Sequence, residues 1–167
     1  LAIKNNLNGR IQTTLDELQF LSNGLMTYYD KIDHINLNKL MNAYNSSLTL
    51  DKVKLLHSTS LVSLLSDGDL SDEEHGLIDA YLSGSKVYYA ETEPGQERIY
   101  LSEAIKENKN ITGIISSVMT PDEFMASYLA PDYIGWESCY LVNDEFTVLS
   151  SLVADTVDSS ISSYLSN

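Results

Sequence analysis

A single cysteine, Cys139, excludes an internal disulfide and any cysteine-built zinc cluster; its neighbours Ser138, Tyr140 and Leu141 suit a small buried side chain. Basic residues are the next shortage. Lys and Arg number 10 against 24 Asp and Glu, a formal net charge of −14. That balance repels phosphate backbones and anionic membrane surfaces, and no basic patch with interleaved aromatics offsets it, so no nucleic-acid partner is expected. No apolar run approaches the roughly 20 residues of a membrane-spanning helix, and no signal peptide pattern is present. His34, His57 and His75 fall on different predicted elements, so no metal site is expected. Gly-x-Ser-x-Gly, a Gly-rich phosphate loop and His-Glu-x-x-His are all missing, and neither catalytic residues nor a cofactor is expected.

What remains is enough for one domain with a genuine core, at 167 residues. The chain opens inside a helical pattern at Leu1-Ala2-Ile3 and is expected to be a fragment of a longer protein, with membrane segments outside it. From Ile3 through Leu7, Ile11, Leu15, Leu18, Leu21 and Leu25 to Tyr29, apolar residues recur at steps of three and four, which predicts a long amphipathic helix. A shorter helix is expected within Ile32 to Ser47. Two apolar runs, Val53 to Leu56 and Leu61 to Leu65, predict two strands joined by a tight turn at His57-Ser58-Thr59-Ser60. Ser71 with Glu74 three residues on forms a capping box for a helix over 72–82, stopped at Ser83-Gly84.

Three strands follow: Val87 to Thr92, Arg98 to Ile105, and Ile111 to Val118. Their short polar links favour an antiparallel meander. The middle strand alternates, with Arg98, Tyr100, Ser102 and Ala104 on one face and Ile99, Leu101, Glu103 and Ile105 on the other. Thr120 caps a second short helix, with Pro121 in its first position and Asp122 and Glu123 at the positive end of its dipole, running to Leu129. Ala130-Pro131-Asp132 breaks the chain. A hairpin is expected from Ser138 to Val142 and Phe146 to Leu149 around Asn143-Asp144-Glu145, then a helical tail from Val153 to Leu165.

This order resembles the extracytoplasmic Cache or PDC sensor domains of bacterial membrane receptors such as diguanylate cyclases, histidine kinases and chemoreceptors. Four segments carry the likeness: Lys54 to Asp67, Leu70 to Gly84, Thr112 to Leu129, and Ser138 to Ser150. Each is degenerate alone, and their order is the more specific signal. The chain departs from the pattern where Leu77 and Ile78 replace a frequent aromatic pair, and where Glu145-Phe146 stands at the hairpin turn in place of Asp-Gly. The resemblance implies an α+β fold, a long N-terminal helix packed on a PAS-like antiparallel sheet of about five strands. It divides the chain into a sensor module over 1–135 and a region over 136–167, either an added layer or the start of a truncated second module.

The resemblance also implies a pocket on the sheet face opposite the long helix. Eleven tyrosines against three phenylalanines suit a site for a small polar ligand, since a tyrosine joins an apolar ring to a hydrogen-bonding tip. Arg98, a scarce cation sharing a face with Tyr100 and Ser102, can hold a carboxylate through its guanidinium. The expected ligand residues are therefore Tyr88 or Tyr89, Arg98, Tyr100, Ser102, and Ser116 or Ser117. One residue of register decides each pair. The function expected is a non-enzymatic, extracytoplasmic sensor of a small molecule, a carboxylate or amino acid among them, coupled to the membrane only through flanking segments. The alternative is an interaction module that dimerises through the long helix, using Ile3, Leu7 and Ile11.

Overall fold

The computed structural model describes residues 2–29, 58–64, 70–132 and 138–152. Helix α1, Ala2–Tyr29, lies on one face of an antiparallel sheet whose strands are β1 (Ser58–Ser63), β2 (Val87–Glu91), β3 (Glu97–Glu107) and β4 (Asn110–Met119). The spatial order is β1-β4-β3-β2, so the predicted meander forms and β1 joins its far edge. Helix α2, Asp72–Leu82, covers the opposite face. The fold is α+β, with four strands in the main sheet among the described residues where about five were expected; the segment 53–56 lies outside them.

The apolar stripe of α1 is what seats it. Leu15, Leu18 and Leu21 are buried against Leu61, Ile99, Leu101, Ile105, Ile115 and Met119, with Leu7 and Ile11 packed at the margin. On the other face, Leu77 and Ile78 of α2 meet Val62, Ala90, Tyr100 and Ile114. The alternation in β3 is therefore real: odd residues serve the α1 layer and even residues the α2 layer.

Local signals place the turns. Glu93 to Gln96 closes β2 onto β3, with Gly95 at φ +84° and the Gln96 amide donating to the Glu93 carbonyl at 2.9 Å. Proline followed by glycine suits a type II turn there. Asn108 and Lys109, at φ +48° and +72°, make the two-residue turn between β3 and β4; two left-handed residues match the twist of a tight hairpin. Both capping boxes form, Ser71 with Glu74 and Thr120 with Glu123, and Gly84 ends α2 at φ +97°.

Three expectations need correction. Ser58, Thr59 and Ser60 are strand rather than turn, because they pair with Val118, Ser117 and Ser116 of β4. The helix expected to continue to Leu129 is α-helical only over α3, Pro121–Phe124, then widens into a π-turn over Met125–Leu129 and a 3-10 turn over Ala130–Asp132. The wide turn stacks Phe124 on Tyr128, with ring centroids 4.9 Å apart, and brings the Tyr128 hydroxyl to within 2.7 Å of Thr14 Oγ1 on α1. Phe146 is not a strand residue: it lies in the hairpin turn at φ +62°, with β5 over Cys139–Val142 and β6 over Val148–Leu152. Asn143 organises that turn by accepting from the Glu145 and Thr147 amides through Oδ1. The hairpin sits beside α3, where Ser150 Oγ donates to Asp122 Oδ1 at 2.5 Å and Leu141 packs on the α1 core.

The predicted helix within 32–47, His34, His57 and the tail from Val153 to Leu165 lie outside the described residues. None of the helices among the described residues is long and apolar enough to cross a membrane.

Candidate functional site

A cleft of about 260 Å³ opens between the first turn of α2 and the sheet face away from α1. The strands contribute Ser60 and Val62 from β1 and Arg98 and Tyr100 from β3; α2 and its cap contribute Ser71, Glu73, Glu74 and Leu77. β-pleating puts Arg98 and Tyr100 on one face, two residues apart, and the capping box fixes the α2 backbone above them.

The cleft is charged across its width. Tyr100 donates a short hydrogen bond to Glu73 Oε1, and Arg98 Nη1 lies 3.9 Å from the same oxygen. The Glu73 side chain is 17 % exposed and that of Arg98 49 %. Burial, then the hydrogen bond to Glu73, pushes the Tyr100 phenol up to about 12, with Arg98 opposing, so it stays a neutral donor. Glu74 is occupied at the helix start, its Oε2 accepting from the Ser71 amide at 2.8 Å and the Ser71 hydroxyl at 3.0 Å.

The expected ligand residues divide by depth and by face. Arg98 and Tyr100 line the cleft. Ser102 and Ser116 are on the same face but beneath it, directly paired between β3 and β4, buried, and bonded to each other with 2.7 Å between hydroxyls. Tyr88 shares that face as well, its ring 5.9 Å from that of Tyr100 and its hydroxyl under Gly76 of α2. Tyr89 and Ser117 face the other way. Tyr89 packs at the margin of the α1 core and bonds Glu91; Ser117 is 1 % exposed, and its hydroxyl has no hydrogen-bond partner among the described residues. Register thus assigns Tyr88 and Ser116, not Tyr89 and Ser117, to the cleft side.

Sequence reasoning missed Glu73, Glu74 and Ser60. The two glutamates read as the charged start of a helix, which they are; only the packing of that helix over β3 turns Glu73 toward Tyr100. A second polar cluster was also missed. Glu103, 5 % exposed, accepts from Lys86 Nζ at 2.5 Å and from the Tyr81 hydroxyl at 3.2 Å, while that hydroxyl accepts from the Ala104 amide at 3.1 Å. The hydrogen bond to Glu103 raises the Lys86 ammonium above its usual range, with burial opposing, and burial followed by the Glu103 charge raises the Tyr81 phenol. Glu103 sits just past the end of β2, where Lys86 and Tyr81 reach it around the sheet edge.

No family model, curated protein or solved structure matches this chain.

Proposed function

We propose that the chain is the extracytoplasmic ligand-sensing domain of a bacterial transmembrane signalling receptor, and that the cleft under α2 is its ligand site. The observation that carries the reading is the arrangement of Arg98, Tyr100 and Glu73 around a cavity of about 260 Å³, on the sheet face that the long helix leaves free. That volume suits a ligand of amino-acid size. Arg98 and Tyr100 are donors for a carboxylate, Glu73 is an acceptor for an ammonium group, and Leu77 and Val62 supply the apolar wall. The likeness in element order to Cache and PDC domains, PAS-like in architecture, supports the cellular setting. Ligand binding would bias α1 and the C-terminal segment, which flanking membrane helices would carry to an output domain. Such coupling takes about 1 to 3 kcal/mol.

Thermal denaturation against a panel of small carboxylates and amino acids tests it. A true ligand at about 100 times its Kd is expected to raise Tm by roughly 5–10 °C, and Arg98→Met to abolish the rise. A panel with no stabilising member would sink the proposal. Dimerisation through the long helix is the weaker alternative, because Leu7 and Ile11 of the proposed stripe pack at the protein's own core.

A further inference from the structure

Helix α2 is tied to β3 by polar side chains at both ends. At its last turn Tyr81 bonds Glu103 and the Ala104 amide. At its first turn the tie, among the described residues, is Glu73 alone. Ser71 and Glu74 satisfy each other in the capping box, and Glu73 takes no part in it. Its carboxylate instead crosses the cleft to the Tyr100 hydroxyl and to the neighbourhood of Arg98.

That is where a bound carboxylate would go. An arginine beside a tyrosine hydroxyl offers one charged and one neutral donor converging on an acid, and here the acid that meets them is the chain's own. The hold is loose on the arginine side: 3.9 Å is the outer limit of an ion pair, with half of the Arg98 side chain in solvent, so no two-pronged contact is being made.

We infer that Glu73 is an internal stand-in for the ligand's carboxylate, holding Tyr100 and facing Arg98 until a small external carboxylate replaces it and frees the first turn of α2. This rests on the reading of the cleft as a ligand site. Replacement breaks only the first-turn tie. The last-turn tie and the burial of Leu77 and Ile78 remain, so α2 tilts about its C-terminal half. The freed Glu73 then adds an unpaired negative charge in a molecule already at −14. A ligand that also carries an ammonium group gives that charge a partner, so a zwitterion is a better opener than a plain carboxylate.

Two-dimensional amide NMR titrations separate these statements, with acetate and L-alanine as probes. Glu73→Gln is expected to bind acetate about tenfold more tightly than the wild type, and adding Arg98→Met to remove the gain. Glu74→Gln removes the same charge one residue away and retains a residue that can close the capping box. It is expected to bind acetate like the wild type, and an equal gain there would reduce the effect to general repulsion and overturn the inference. Glu73→Asp keeps the charge but shortens the reach by one methylene; a gain in that variant supports the stand-in role, and it serves if the glutamine variant does not fold. Saturating L-alanine is also expected to speed hydrogen exchange of the amides of 74–76 while those of 79–82 stay protected, and unchanged protection overturns the tilt. If the wild type binds either probe through Arg98 but Glu73→Gln gains nothing, the cleft remains a binding site and the stand-in is wrong. If no cleft amide responds in the wild type or in Glu73→Gln, both readings fall.

Discussion

Ser116 and Ser117 are neighbours in β4 and meet opposite fates. Ser116 shares a hydrogen bond with Ser102 in the α2 layer, whereas Ser117 is buried in the α1 layer with no partner for its hydroxyl among the described residues. Ser102→Ala is therefore expected to cost about 1–3 kcal/mol, because it strands the Ser116 hydroxyl, and the double change with Ser116→Ala to recover most of the loss. Ser117→Ala is expected to be neutral or to stabilise by about 1 kcal/mol. Urea denaturation of the wild type, of Ser102→Ala, Ser116→Ala and Ser117→Ala, and of the double variant checks this, and a double variant worse than the sum of its parts would refute it. Alternation along β3 was legible because Ile99, Leu101 and Ile105 recur on one parity while Arg98 and Ser102 take the other. The choice within Ser116-Ser117 was not, since two like residues carry no parity of their own; the pairing with Ser102 sets it. Glu103 was legible as a residue of the α1 face, but its partners come from α2 and the start of β2, which no local pattern links to it.

Helix α2 is the element most fully written in the sequence, from its capping box to its glycine stop. One residue inside it was not read. Gly76 lies where a Cβ would run into the Tyr88 hydroxyl and stand 2.9 Å from its Cζ. Glycine costs a helix interior about 1 kcal/mol relative to alanine, and close seating of α2 on Tyr88 offsets that cost. Gly76→Ala is accordingly expected to gain about 1 kcal/mol of stability in a Tyr88→Ala background and to gain nothing, or lose, in the wild type. Equal effects in both backgrounds, measured by denaturant unfolding, would show that the contact carries no energy. The π-turn after α3 had no signal at all: Thr120, Pro121 and Glu123 specify where the helix begins, and the widening follows from tertiary contacts of Tyr128 with α1. Ser58 to Ser60 misled for a related reason. Hydroxyl-bearing residues are turn formers in isolation, yet here Thr59 and Ser60 pair with Ser117 and Ser116 of β4.

For the molecule as a whole, charge is the dominant long-range term. A net charge of −14 opposes compaction, and little in the described structure answers it beyond a few partly exposed ion pairs. Raising NaCl from about 0.01 to 1 M shortens the screening length from about 30 to 3 Å and is expected to raise the urea midpoint. A falling midpoint would mean that Lys86–Glu103 and Arg98–Glu73 outweigh the general repulsion. The α+β class and the meander were legible because they rest on periodicity and short links. The start of β1 was not, because Ser58 to Ser60 read as turn chemistry. That strand's place at the edge has a kinetic meaning too. Strands β2, β3 and β4 follow one another through tight turns and can zip together locally, whereas β1 must close a long loop to reach β4. Ser60 and Val62 belong to β1, so the cleft acquires that wall only when the pairing of β1 with β4 is made, and a chain arrested before that step holds the meander with its cleft unbuilt.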